Sequence, residues 1–164
     1  MTNNRWFKYG LMALSASMLL GCATKLADAE DEKTLDYIMT KSKKFEIVHS
    51  PTSKTFVSVT YLNPISHDSI VQDSEKFIVG TYLKTSDGEF RKVSLSGFEI
   101  NGRKDYVTVK PITLENPLMK LISSANEWSN YVLVEALKTE QLKMKFSFEN
   151  GHSERVSAEF RKDF

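Results

Sequence analysis

From about residue 45 onward the apolar residues return at every second position, and that alternation admits strands and little else. Residues 55–62 set Val57, Val59 and Tyr61 on one face. Asn63-Pro64 and a polar run to Ser74 then predict a loop. Further alternating runs cover 77–85, 90–97 and 105–111. Beyond a helical or irregular insert around 117–124 come 128–137, 141–148 and 152–160. Short strands at this spacing, divided by Asn, Asp, Pro and Gly, predict a mainly β, antiparallel sandwich.

The turns sharpen that expectation. Asp87-Gly88, Asn101-Gly102 and Asn150-Gly151 are ordinarily two-residue type I′ hairpin signals. Facing residues must share a face, however, and a two-residue loop at Asn150-Gly151 sets Phe146 against Arg155 and Lys145 against Val156. A three-residue loop with a left-handed glycine and a bulge sets Met144 against Val156 and Leu142 against Ala158. The same rule pairs Val93 with Val109, Leu95 with Val107, Val79 with Leu95 and Thr81 with Val93. It makes Gly151 a left-handed position that resists Val. The core expected from this register is Phe77, Val79, Leu83, Val93, Leu95, Val107, Val109, Leu142, Met144, Phe146, Phe148, Val156 and Phe160. Val132, Leu133 and Val134 are apolar on both faces, so their strand is expected to be central or covered. Trp128 is expected at one end of the sandwich. The architecture is best described as immunoglobulin-like, with about seven strands. The Cys–Trp–Cys signature of antibody domains is missing.

The first residues follow another logic. Arg5 and Lys8 precede an apolar segment from Gly10 to Leu20 that stops at Gly21-Cys22, the layout of a secretory leader. A membrane span needs about 20 apolar residues, and Lys8 and Lys25 bracket a shorter run. Residues 1–21 are therefore expected to be a leader. Residues 22–44 should form a tether and a short helix, and residues 45–164 the sandwich domain. Within 29–43 the acids Glu30, Asp31 and Glu32 come first and the lysines last, as the helix dipole favours. Leu35, Ile38 and Met39 share its apolar face.

Composition excludes several functions. The chain has 22 Lys and Arg against 21 Asp and Glu. Losing Arg5 and Lys8 with the leader leaves 20 against 21, a net charge near −1. A near-neutral chain with interspersed signs carries no footprint for nucleic acid. A single cysteine cannot form a disulfide within the chain, so the fold must rest on packing. His49, His67 and His152 are isolated, and His67-Asp68 with Asp73 reads as a solvated loop rather than a metal site. Met39, Met119 and Met144 are too scattered for copper. There is no GxSxG, no glycine-rich phosphate loop and no carboxylate pair that stands out. No cofactor, metal site or catalytic residue is expected, and the chain is read as a non-enzyme.

The candidate interaction surface comprises Ile78, Tyr82 and Tyr106 on the face opposite the core, with Phe98 and Ile100 just beyond them near the Asn101-Gly102 turn. The favoured reading is that the N-terminal helix, whose Leu35, Ile38 and Met39 need a place to pack, covers this surface; the alternative is that it is open to a partner.

Leu19-Leu20-Gly21-Cys22 resembles the lipobox of bacterial lipoproteins. With the run Tyr61-Leu62-Asn63-Pro64-Ile65 and the strand Phe77-Ile78-Val79-Gly80-Thr81-Tyr82-Leu83, the chain resembles small lipoproteins of Campylobacter-type bacteria. Some of these have an immunoglobulin-like fold and no assigned activity. The resemblance implies a diacylglycerol on the Cys22 thiol, cleavage before that residue and acylation (palmitate) of the new amino group. Each buried methylene of such chains adds about 0.8 kcal/mol to anchoring. Ala23 after the cysteine implies the outer membrane under the Gram-negative sorting pattern. The expected function is a lipid-anchored, non-catalytic binding or assembly module of the cell envelope, with an envelope protein as partner. The alternatives are a surface adhesin for host protein or glycan, and an envelope enzyme or small-ligand carrier.

Overall fold

Alternation becomes pairing along the chain. The computed structural model describes residues 39–63, 65, 70, 73–151 and 154–162. In it Ser42–Ser50 (β1) and Ser53–Tyr61 (β2) form a hairpin, and β2 pairs with Ser74–Lys84 (β3). Phe90–Lys92 (β4) turns back onto β3, and Ser96–Ile100 (β5) crosses to a second sheet. Thr108–Ile112 (β6) returns to the first, and a 3-10 turn at Pro117–Leu121 follows. Asn130–Leu137 (β7), Lys143–Glu149 (β8) and Arg155–Arg161 (β9) complete the order. One antiparallel sheet runs β1-β2-β3-β7-β6, with β4 also on β3, and the other runs β5-β8-β9.

The period of two decides what lies between the sheets. Phe45 and Ile47 of β1, Val57, Val59 and Tyr61 of β2, Phe77 and Val79 of β3, and Val134 and Ala136 of β7 face inward from the larger sheet. Phe98 and Ile100, then Met144, Phe146 and Phe148, then Phe160 meet them from the smaller one. Phe77 is the hub, 4.8 Å from the Phe146 ring, 4.9 Å from Tyr61 and 5.4 Å from Phe160. Burying each such side chain contributes about 1.5–3 kcal/mol. This is a sandwich-like arrangement of two antiparallel sheets around one core.

The larger sheet is also covered in part on its outer face. Ile78, Tyr131, Leu133 and Ile112 pack there beneath Leu62, Ile65, Ile70, Leu118, Met119, Leu121 and Ile122. The 3-10 turn forms because Asn116 accepts the Leu118 N–H at 3.0 Å and Pro117 supplies a preset φ. Strand β7 lies between β3 and β6, apolar on both faces, as its sequence requires.

Several expectations need correction. The run 90–97 is two strands: pairing with β3 stops at Lys92, residues 93–95 cross over, and β5 opens at Ser96 in the other sheet, with a bulge between Ser96 and Glu99 that holds Gly97 at φ +64°. Strand β6 consequently pairs with β7, so Val93–Val109 and Leu95–Val107 do not form. Val109 and Leu142 are exposed, and Leu83 and Val93 are half-buried. The Asp87-Gly88 turn keeps the expected three-residue register, with Lys84 opposite Phe90 and Gly88 at φ +87°. Asn101-Gly102 is instead a two-residue turn, φ positive at both residues, closed by reciprocal bonds between Ile100 and Arg103. At Asn150-Gly151 the loop sits further along. Asn150 N–H donates to the Glu154 carbonyl, and Met144 faces Phe160 while Phe148 faces Val156. Gly151 is not left-handed. The expected leader, Cys22 and most of the expected helix lie outside the described residues, as do His67 and His152. Strand β1 begins at Ser42, so no helix reaches Lys43.

Candidate functional site

The larger sheet carries its chemistry on the uncovered half of its outer face. Register places Phe56 of β2 directly opposite Tyr82 of β3, and Lys44, Ser58, Gly80 and Tyr131 in the adjoining row across four strands. The Phe56 and Tyr82 rings stack at 5.0 Å and 18°. Phe90 lies diagonally across from Tyr82 on β4 and meets it edge-on at 5.7 Å. Strand β7 starts at Asn130 opposite Thr81, one residue along β3 from where β4 ends at Lys92 opposite Tyr82, and Trp128, two residues before β7, stacks on Phe90 at 5.5 Å and 27°. The result is a continuous strip of four aromatic rings. The two rings at its β4 and β7 side are open to solvent, Phe90 at 47% and Trp128 at 46% exposure.

A groove of about 400 Å³ runs beside this strip. Its floor is Ser58, Gly80 and Tyr131, its aromatic wall Phe56 and Tyr82, and its far wall Ser124, Asn126 and Ser129. Glycine at position 80 is a spatial requirement, since a Cβ would stand 2.6 Å from the Tyr131 ring and 2.9 Å from the Ser58 hydroxyl. The far wall is fixed by the floor. Tyr131 Oη accepts the Asn126 N–H at 2.9 Å, and the Ser129 hydroxyl donates to Asn126 Oδ1 at 2.7 Å. Burial, then the nearby charge of Glu46, pushes the Tyr82 phenol up from its ordinary value, so it remains a hydrogen-bond donor at neutral pH. Glu46 itself accepts from Lys54 at 2.8 Å.

The outer face of the smaller sheet is of the opposite kind. Glu149 accepts from Arg155 at 3.0 Å and from Lys104 at 3.3 Å, and Glu99 pairs with Arg155 as well. Gly97 leaves the space that the Glu149 side chain fills.

The structure disperses the residues expected to form one interaction surface. Ile78 is 1% exposed beneath the 3-10 turn, while Phe98 and Ile100 belong to the inter-sheet core. Tyr106 is 69% exposed, at φ +67°, beside a separate groove of about 380 Å³ that Ile100 and Leu137 also line. Tyr82 alone lies on the aromatic strip. Phe56, Phe90 and Trp128 escaped sequence reasoning. The available signal was the Phe56–Tyr82 pairing, which the register of β2 against β3 dictates.

Among the described residues no three His, Cys, Asp or Glu are grouped to hold a metal ion, and no helix is long and apolar enough to cross a membrane. No protein-family model matches the chain, nor does any curated protein or solved structure.

Proposed function

We propose that this chain is a lipid-anchored, non-catalytic binding module of the bacterial cell envelope, with an immunoglobulin-like sandwich as its domain. The observation carrying the binding reading is the contrast between faces. One outer face is locked in ion pairs, and the other presents four contiguous aromatic rings beside an open groove. Exposed, contiguous aromatic surface is what binding sites concentrate. Strand order supports the fold assignment. The sequence β2-β3-β7-β6 in one sheet and β5-β8-β9 in the other corresponds to the A-B-E-D and C-F-G order of constant-type immunoglobulin domains, with β1 and β4 added. The anchor rests on the lipobox resemblance of Leu19-Leu20-Gly21-Cys22, and the outer membrane on Ala23. Tethering confines the domain to a surface and raises its effective concentration for ligands there.

The test is crosslinking in intact cells, comparing the native chain with Cys22→Ser and Trp128→Ala. Cys22→Ser is expected to lose radiolabelled lipid and move from the membrane to the soluble fraction. Trp128→Ala should stay anchored and lose the captured partner. Membrane retention of Cys22→Ser without lipid would end the anchor proposal, and capture unaffected by Trp128→Ala would end the assignment of the binding face.

A further inference from the structure

We propose that the groove and its aromatic strip take a neutral saccharide chain, a reading that rests on the binding-module assignment above and names its ligand class. The groove combines two kinds of surface that such a ligand needs together. A pyranose ring presents C–H bonds on its faces, and these sit favourably on the electron-rich face of an aromatic ring. Its rim presents hydroxyls, each able to donate and accept. Phe56 and Tyr82 supply the aromatic wall, and the hydroxyls and amide of Ser58, Ser124 and Asn126 supply the matching polar wall. Capacity remains in these groups. Tyr131 Oη accepts from Asn126 and keeps its own proton to donate, and Ser58 makes only a 3.4 Å bond to the Gly80 carbonyl, leaving its lone pairs to accept.

Charge separates this ligand from its competitors. Lys44 and Glu46 stand near one another at the groove, and Lys54 already neutralises Glu46. With Glu46 so paired, Lys44 is the one positive charge left among the lining residues, and the other polar groups there are uncharged hydroxyls and an amide, too little counter-charge for a polyanionic ligand. An acyl chain would cover the Tyr131 proton and the Ser58 lone pairs with hydrocarbon and offer them nothing in return. The geometry also points to a chain rather than one sugar. The strip leaves the groove at Tyr82 and continues over Phe90 to Trp128, so further sugar units have rings on which to lie.

The experiment is calorimetric titration of the full-length protein, extracted from membranes in mild non-ionic detergent that is not glycosidic. The probes are neutral hexose and N-acetylhexosamine oligosaccharides of increasing length. At least one series is expected to bind saturably, more tightly as the chain lengthens, with an affinity unchanged by added salt. Trp128→Ala should weaken the longer members about tenfold, the equivalent of roughly 1.4 kcal/mol, and leave the shortest nearly unaffected. Tyr82→Ala should weaken every length. A thermal melt of Trp128→Ala matching the native protein shows that the fold survives. Saturable binding by no series, or binding indifferent to both substitutions, overturns the saccharide. Loss of a crosslinked protein partner in Trp128→Ala, with every saccharide failing, overturns it too while leaving the binding face in place.

Discussion

A single carboxylate ties four segments of the chain together. Glu75 is fully buried at the start of β3, where it accepts from the Tyr61 hydroxyl at 2.6 Å, the Lys162 ammonium at 2.5 Å and the Thr139 N–H at 2.9 Å. Lys162 also donates to the Thr139 carbonyl. A buried charge is tolerated only when so partnered, and removing one member strands the others. Glu75→Ala should cost about 3–5 kcal/mol in urea denaturation, because it leaves the Lys162 ammonium without its counter-ion. Burial first, and the Glu75 carboxylate second, push the Tyr61 phenol far above its ordinary value. A group that keeps its proton longer in the folded state contributes fully below the unfolded value, here about 10 for a phenol. Its contribution falls away as pH rises toward the folded value. The stability gap between the native protein and Tyr61→Phe should therefore be constant below pH ~10 and narrow above it, which chemical denaturation across that range measures. Gly80→Ala should cost about 1–3 kcal/mol by overpacking, since the new methyl meets the Tyr131 ring and the Ser58 hydroxyl. It should also weaken any groove ligand.

At the scale of elements, the turns make a paired prediction. Gly102 sits at φ +75° and Gly151 does not sit in the left-handed region. Nothing lies within 4 Å of a Cβ at either. Gly102→Ala should thus cost about 1–2 kcal/mol from backbone strain alone, and Gly151→Ala should leave the thermal melt within about 0.5 kcal/mol of native. The contrast shows how far sequence reaches here. Alternation reveals which face a residue occupies, and Val57, Val59, Phe77, Val79, Met144, Phe146, Phe148 and Phe160 all point inward as their spacing requires. It does not reveal which strand is the neighbour. Shifting the β8–β9 register by two residues on each strand keeps every inward residue inward, so parity could not distinguish Met144–Val156 from the actual Met144–Phe160. The crossover from β4 to β5 and the bulge at Gly97 left a trace: the apolar positions change from odd, at Val93 and Leu95, to even, at Phe98 and Ile100. That inversion marks a bulge and a change of sheet. Phe98 and Ile100, which follow the run 90–97, fall on the surface only when its parity is carried on past Gly97. Phe90 and Trp128 became neighbours through the placement of β4 and β7 along β3, a non-local arrangement no local pattern encodes.

At the scale of the molecule, the edges of the larger sheet matter as much as its faces. Strand β6 is one such edge, and it carries Pro111 opposite Val132 of β7. Proline has no N–H to offer, so an incoming strand meets a gap in the ladder it would need to extend. The neighbouring Lys110 is held by Glu135 at 2.7 Å, which places a charge beside the gap. Molecules confined to a membrane plane meet edge to edge far more often than molecules in solution. Were the chain anchored as proposed, Pro111 would keep copies crowded in two dimensions from annealing into a continuous sheet. Pro111→Val, which restores the donor and favours strand, should raise the fraction of protein recovered as large aggregates on size-exclusion chromatography as surface density increases. The native chain should remain dispersed at the same density.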